Sequence, residues 1–390
     1  MPEVTFDLQV VTPLFLAGVN QQEIEIPEFD QKPGERAQAW ELIPEIRAPS
    51  FRGLMRYWLR AAVAGLTNAQ PVELKDVRDF ERYIFGATDE GSSVQVRVKT
   101  ILESTEKFEK EGRSRDRVTG KDYLYWSMVK SGKGNNYKPS RYYFTHDTTL
   151  RVTLSAHGHE DIQARKLECA IASFWLLISL GGLGSRSRRC AGSLIVTNVS
   201  GNITKLSFAE ARDAQELQDI LRQGIQEVKR IYSTQLAAMK DTMNTISPVS
   251  IEAASFDTIS LPDSCRIWVF QRRDGNNWHS AKNVLDDIGM ELQNGRRSIL
   301  SLNKRAAFGL PLIVRDLDDL KLKGILKDNR RASPLLLKVS RVQKEQFVGV
   351  AVLFKTPYDA IDVVPEPDYS LIEKWIEKKL SRMTALEVIL

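Results

Sequence analysis

The feature that most constrains this chain is an order of patterned segments that occurs twice. Val4, Phe6, Leu8 and Val10 alternate with Thr5, Asp7 and Gln9, the period of a half-buried strand. A helix is expected from about Ser50 to Leu66, with the Ser50 hydroxyl placed to cap its first turn. Val94, Val96 and Val98 make a second strand, and Leu150, Val152, Leu154 and Ala156 a third. An apolar helix over Gln163–Leu180 and a strand over Leu194–Val199 complete the set. Strand, helix, strand, strand, helix, strand is the ferredoxin-like plan.

The second half repeats this order. Arg266–Gln271 is a strand and Ser280–Gln293 an amphipathic helix; Leu335–Val342 pairs with Phe347–Phe354; Tyr369–Ser381 is a helix and Ala385–Leu390 a last strand. No residue identity accompanies the recurrence, so it is architectural. Between the halves, Leu217, Ile220, Leu221, Val228, Ile231 and Tyr232 share one face of a helix over about Phe208–Met243, with Thr245–Ser264 as a linker. The expected fold class is therefore α+β: two tandem ferredoxin-like (RRM-like, βαββαβ) domains, 1–204 and 265–390, joined by a helical connection over 205–264. With 390 residues, each domain is long enough to hold its own core.

Asn20–Glu45 reads as an acidic, proline-containing loop, and Lys110–Arg141 as a basic insertion made mobile by Gly132 and Gly134. The start, MPEVTFDLQVV, shows no basic-then-apolar leader pattern. The apolar stretch Cys169–Leu183 is too short to span a bilayer, so no membrane partner is expected. Cys169, Cys190 and Cys265 are widely spaced, which points to a reducing cytoplasm and away from a disulfide frame or a cysteine metal site.

Charge narrows the function. The net charge is +5, yet Arg47–Arg60, Lys110–Arg141, Gly181–Gly192 and Lys321–Lys344 together carry +20, leaving −15 elsewhere. Concentrated positive charge on an acidic body suits a polyanion. In the insertion, Tyr123, Tyr125, Trp126 and Tyr137 interleave with the cations, as in surfaces that hold single-stranded RNA by phosphate contact and base stacking. Tyr125 and Trp126 fit a local core beneath the loop equally well.

Two motifs carry the binding chemistry. In RAPSFRGLMRYWLRA, Arg52, Arg56 and Arg60 recur every four residues and form one helical stripe, beside an apolar face of Phe51, Met55 and Leu59. Guanidiniums on such a stripe can each bind two phosphate oxygens. Arg60 fits an ion pair with an acidic neighbour better, and Trp58 fits the core. In GGLGSRSRRCAG, Gly181–Gly192, the glycines permit close backbone approach to a ligand, and Arg186, Arg188 and Arg189 add charge. The loop follows a helix and lacks a closing Gly-Lys-Ser/Thr, so it is neither a dinucleotide fingerprint nor a Walker A loop. No cofactor is expected.

The glycine-rich loop after the second helix, together with Thr12-Pro13-Leu14 after the first strand, resembles the RAMP superfamily of CRISPR proteins. PSFRGLMRYWLRA, Ile84-Phe85-Gly86 and RRASPLLL (Arg330–Leu337) resemble, within it, the first subunits of type III-B (Cmr) effector complexes. The resemblance implies two fused ferredoxin-like domains in a subunit at the end of the complex, near the 3′ portion of the guide RNA. It implies contact with guide or target RNA and with other Cmr subunits, and no nuclease activity. Residue by residue, it carries RNA contact onto Arg47, Arg52, Arg56, Gly181, Gly182, Gly184, Arg186, Arg188 and Arg189. The two RNA motifs are expected to form one surface.

An endoribonuclease is the rival class. His146, His157, His159 and His279 are the available histidines, and none has a diagnostic spacing for metal binding or acid–base work. The first loop offers Glu23, Glu25 and Asp30 without a match to the aspartate that RAMP nucleases use, so no catalytic or metal residue is expected.

Overall fold

The computed structural model describes residues 2–31, 38–66, 74–112, 118–201, 205–242, 257–260, 263–299, 304, 306–309, 332–343, 345–356 and 368–389. The first half begins with β1 (Glu3–Val10), β2 (Ala17–Glu25), β3 (Gln38–Pro44), α1 (Ala48–Val63), α2 (Leu74–Phe85) and β4 (Val94–Leu102). It continues with β5 (Thr105–Lys107), α3 (Gly120–Leu124), β6 (Tyr142–Phe144), β7 (Thr149–Ala156), α4 (Glu160–Leu180) and β8 (Leu194–Ser200). The helix α5 (Ala214–Thr242) leads to β9 (Cys265–Arg272), α6 (Ala281–Ser298), β10 (Leu335–Val342), β11 (Gln346–Phe354), α7 (Ser370–Lys378) and β12 (Met383–Val388).

The result is a mixed α and β chain with two four-stranded antiparallel sheets, ordered β4-β7-β1-β8 and β10-β11-β9-β12. In each, the first strand of the half lies between the third and the fourth. The alternation read in β1 is the observed one: Val4, Phe6, Leu8 and Val10 are buried, while Thr5, Asp7 and Gln9 are only partly covered.

The halves do not keep separate cores. Phe6, Trp175, Val228 and Tyr232 share one apolar cluster with Ile267, Val269, Val350 and Val352 of the second sheet. Val11, Phe15, Tyr125 and Cys190 share another with Trp268, Phe270, Val284 and Ile288. The second sheet is thus covered on both faces, which is why FVGVAVLF in β11 is almost continuously apolar rather than alternating. For the same reason the second half of α4 is apolar all round, with residues 169–178 buried. The long helix α5 packs on α4, β9 and β12, wedged between the halves. A Cβ on Gly224 would come within 2.1 Å of the Trp175 ring, so α5 needs a glycine there to approach so closely.

Several local expectations change. The arginine helix starts at Ala48, with Arg47 rather than Ser50 at the N-cap and no capping side chain; Pro49 supplies the turn. The acidic loop contains the β2–β3 hairpin, invisible as a pattern because most of β2 is exposed on both faces. The amphipathic helix α2, with Val77, Phe80 and Ile84 buried, was not anticipated. The described part of the basic insertion is docked: a Cβ on Gly120 would meet Asp286 O of α6 at 1.9 Å, and the Lys121 N–H donates to Asp286 Oδ1 at 3.0 Å. Residues 113–117, most of the linker, and residues 321–331 lie outside the described residues.

Candidate nucleic-acid interface

The arginine stripe of α1 faces α2, and much of it is spent there. Arg56 Nε and Arg60 Nη1 both bond to Oε1 of the buried Glu81, the latter at 2.8 Å, and Arg52 Nη2 donates to the Phe85 carbonyl. Arg60 is therefore ion-paired, as its sequence context indicated, but with a helix that lay unread beside it. Arg56 departs from its expected phosphate role, because the two guanidiniums offset the charge of a carboxylate that is 8% exposed.

The glycine loop turns inward too. Gly181 stands against the indole Nε1 of Trp58, where an added Cβ would sit at 2.6 Å, and Gly182 faces Ala191 O at 2.7 Å. Gly184 (φ +82°) and Gly192 (φ +63°) are left-handed, with Phe15 O and Leu183 O filling the space a side chain would need. The small residues admit the chain's own backbone rather than a ligand. Thr12 locks the arrangement: its buried hydroxyl donates to Cys190 O at 2.6 Å and accepts from the Ser193 N–H at 2.9 Å.

Arg188 and Arg189 clasp the second half, while Arg186 ties the loop to α3 of the first. Arg186, itself left-handed, donates Nε to Leu124 O at 2.9 Å. Arg188 Nη1 donates to Ser333 O at 2.6 Å, and its Nη2 lies 3.4 Å from Asp257 Oδ2. Arg189 reaches Leu335 O at 3.1 Å and Phe308 O at 3.3 Å. Burial lowers the Arg186 pKa, and burial with the neighbouring Arg296 and Arg186 charges lowers that of Arg189 to about 9. Burial also raises the Tyr57 phenol above its ordinary range, although Arg188 opposes this. All three side chains are only partly covered, and the groups they bond to belong to the chain itself. The loop meets α1 through Tyr57 and Trp58, roughly a third of a turn from Arg52, so the stripe and the loop do not form one surface.

What remains open is the N-terminus of α1. A hollow of about 310 Å³ lies there, lined by Ala48, Pro49 and Arg52 from the helix, Gln95 and Val96 from β4, and His157 after β7. Arg47 provides no capping bond, and the first turn has no acidic residue. The Nε atoms of Arg47 and Arg52 are shielded from solvent and make no hydrogen bond; Glu45 Oε2 lies 3.8 Å from Arg47 Nε. Guanidinium charge beside a helix N-terminus favours a negative charge, because the helix dipole has the same sign there; few amides are free, since Pro49 has no N–H and the Ser50 N–H donates to Arg47 O at 3.1 Å. His157, which has no diagnostic spacing in the sequence, is part of the lining of the hollow.

Of the insertion aromatics, Tyr125 is core, edge-on to Phe15 and Phe108 with ring centroids 5.4 and 5.7 Å away. Trp126 is half exposed, with the Arg186 guanidinium 5.9 Å from its ring. A larger cleft of about 720 Å³ separates the halves, with His146 and Tyr143 on one wall, His279 and Lys282 on the other, and Arg341 at its edge. His146 Nε2 lies 3.6 Å from Asp147 Oδ1 in an exposed turn. Among the described residues no cluster of three or more His, Cys, Asp or Glu side chains suits a metal, and no helix is long and apolar enough to cross a membrane. The three cysteines are free and buried.

Comparison with known proteins adds a family context. The RAMP superfamily model matches residues 7–195. The chain is 30% identical over 209 residues to the CRISPR system Cmr subunit Cmr1-2 of Pyrococcus furiosus, covering 50% of this chain and 96% of that protein. To Cmr subunit Cmr1-1 of the same organism it is 28% identical over 317 residues, 81% of this chain and 82% of the relative. Its fold is similar to that of Cmr1 from Pyrococcus furiosus in the apo form (TM-score 0.58, 20% identity, 100% and 99% covered). A chain of the type III-B Cmr-beta complex bound to cognate target RNA is similar as well (TM-score 0.52, 14% identity, 90% and 94% covered).

Proposed function

Starting from a chain that belongs to the RAMP superfamily, in the family of the Cmr1 subunits of CRISPR systems, we propose that it is a non-catalytic, RNA-contacting subunit of a type III-B effector complex. It is built as two fused ferredoxin-like units that share their cores, which the same strand order in both sheets supports. Other Cmr subunits and the guide or target RNA are its partners.

The hollow at the start of α1 carries the RNA reading. Arg52 lines it and Arg47 stands beside it as the helix N-cap; the Nε of each lacks a protein acceptor, and the helix end adds a favourable dipole. A backbone phosphate fits this chemistry. The contact is indifferent to base identity, as expected of a subunit in a complex whose sequence specificity comes from guide pairing. Arg56, Arg186, Arg188 and Arg189 hold the scaffold that positions it. Binding rather than cleavage is supported by the carboxylate that the first loop does bury, Asp30, which is tied to Lys130 Nζ at 2.6 Å.

One observation favours endoribonuclease activity as a second reading: His146 and His279 line the same cleft from opposite halves, a placement open to metal-independent acid–base cleavage of RNA. Two measurements separate the readings. Photo-crosslinking of the assembled complex, with a reactive side chain introduced at position 47 or 95, is expected to capture RNA; absence of crosslinks at both positions refutes the phosphate site. Incubating the purified chain with single-stranded RNA is expected to leave the RNA intact. Cleavage abolished by His146→Ala or His279→Ala would establish the second reading.

A further inference from the structure

The β2–β3 hairpin projects an acidic, aromatic face from a protein whose net charge is positive. In the register of the hairpin Trp40 lies opposite Glu23, and Gln38 opposite Glu25. Residues two apart on a strand share a face, and directly opposed side chains have their Cβ atoms about 4.5–5.5 Å apart. Trp40 therefore stands on one face with Glu23 and Glu25. The indole is 58% exposed, and Val19 in the irregular part of β2 is 81% exposed. Both glutamates are exposed as well. Among the described residues neither has an ion pair, and no cation lies over the Trp40 ring. Two other carboxylates of the hairpin are occupied: Glu41 pairs with Lys107 and Asp30 with Lys130. These pairs sit on the side of the hairpin turned to the body, where Ile26 and Ala39 pack with Tyr137.

We propose that this face is a protein-docking surface for a neighbouring subunit that presents lysine or arginine on apolar ground. The identification rests on charge and ring chemistry. Two free carboxylates beside an exposed indole offer a cation both opposite charge and an aromatic face. Tryptophan at such a position is the residue type that dominates binding energy in protein interfaces. The same carboxylates repel phosphates lying within the screening length of about 8–10 Å, so the face discriminates against RNA, which is assigned to the opposite chemistry at the start of α1. The proposal deepens the assignment to a type III-B complex and takes its class of partner from that assignment.

The test uses the full chain co-expressed with the other Cmr subunits of its own genome. The variants are Trp40→Ala and the charge reversal Glu23→Lys with Glu25→Lys. Native mass spectrometry reads the fraction of complex that contains the chain, and filter binding reads RNA affinity of the chain alone. Each variant is expected to reduce incorporation at least tenfold, while the melting temperature is unchanged and RNA affinity stays within twofold of wild type. Trp40→Phe is expected to restore most of the incorporation. Full incorporation of both variants overturns the docking surface while leaving the subunit assignment intact. Loss of RNA binding by the isolated Trp40→Ala chain overturns it in favour of a nucleic-acid contact, and a wild-type dimer abolished by the charge reversal overturns it in favour of self-association. A wild-type chain that never enters the complex refutes the subunit assignment, and the docking surface falls with it.

Discussion

Lys338 lies in the most basic window of the sequence, yet it cannot serve a polyanion. It sits on β10, 3% exposed, and among the described residues its Nζ donates one hydrogen bond, to Leu194 O at 3.4 Å. Burial is the main cause that lowers its pKa from 10.5 to about 7, with the Cys190 thiol opposing weakly. The native state therefore resists a proton that the unfolded chain accepts. Between the native value and the unfolded value near 10.4, the unfolded state binds more protons, so stability rises with pH across that window. Below about pH 7 both states are charged and the full penalty remains. At about 1.4 kcal/mol per pH unit over that window, the penalty is on the order of 5 kcal/mol. Lys338→Met keeps the length and apolar stem of the side chain and removes the charge. It is expected to stabilise the protein by an amount of that order at pH 6–7, with the gain shrinking to nothing near pH 10.5. Urea unfolding of both proteins at intervals from pH 6 to 10.5 measures this directly. A gain that does not vary with pH, or a variant less stable than wild type at pH 7, would refute the burial argument.

The loop contacts predict that Arg186→Ala and Arg189→Ala each lower stability by about 1–3 kcal/mol, because the carbonyls they satisfy are left unpaired; chemical denaturation reads this, and RNA affinity of the folded fraction is expected to be unchanged. Gly192→Ala places a Cβ 1.8 Å from Leu183 O at a φ of +63°, so the variant is expected to lose several kcal/mol or to fail to fold, on the scale of about 1–3 kcal/mol for the left-handed backbone alone; expression and thermal melting check it. Arg47→Ala is expected to weaken single-stranded RNA binding with little loss of stability and to flatten the plot of log affinity against log salt by about 0.7, one phosphate contact; an unchanged slope removes Arg47 from the interface. Glu81→Gln leaves Arg56 and Arg60 without their shared carboxylate and is expected to cost about 1–3 kcal/mol in the same unfolding assay.

Much of the architecture was legible because strand and helix periods are local properties of the chain. The alternation in β1 and the apolar run of α4 reflect which way successive side chains point, and each appears where it was expected. Segments solvated on both faces, such as β2, carry no period, so the hairpin escaped notice. The helix α2 did carry one, in Val77, Phe80 and Ile84, and its signal was available. The separate cores were the larger departure: an apolar sequence records that a face is buried but not against what, and both sheets prove to be buried partly against each other. The same distinction divides the site. The sequence marked Arg47 and Arg52 as expected RNA contacts and the glycines of the 181–192 loop as places where backbone could approach a ligand, whereas at Gly184 and Gly192 the chain's own backbone fills that space. The sequence also placed Arg186, Arg188 and Arg189 among the phosphate ligands, because a guanidinium reads the same whether it meets a phosphate or a carbonyl. Only the tertiary structure supplied the acceptors, from Leu124, Ser333, Leu335 and Phe308, residues distant in sequence. A side chain's type sets which partners it can bind, whereas its function depends on which of them folding leaves unsatisfied.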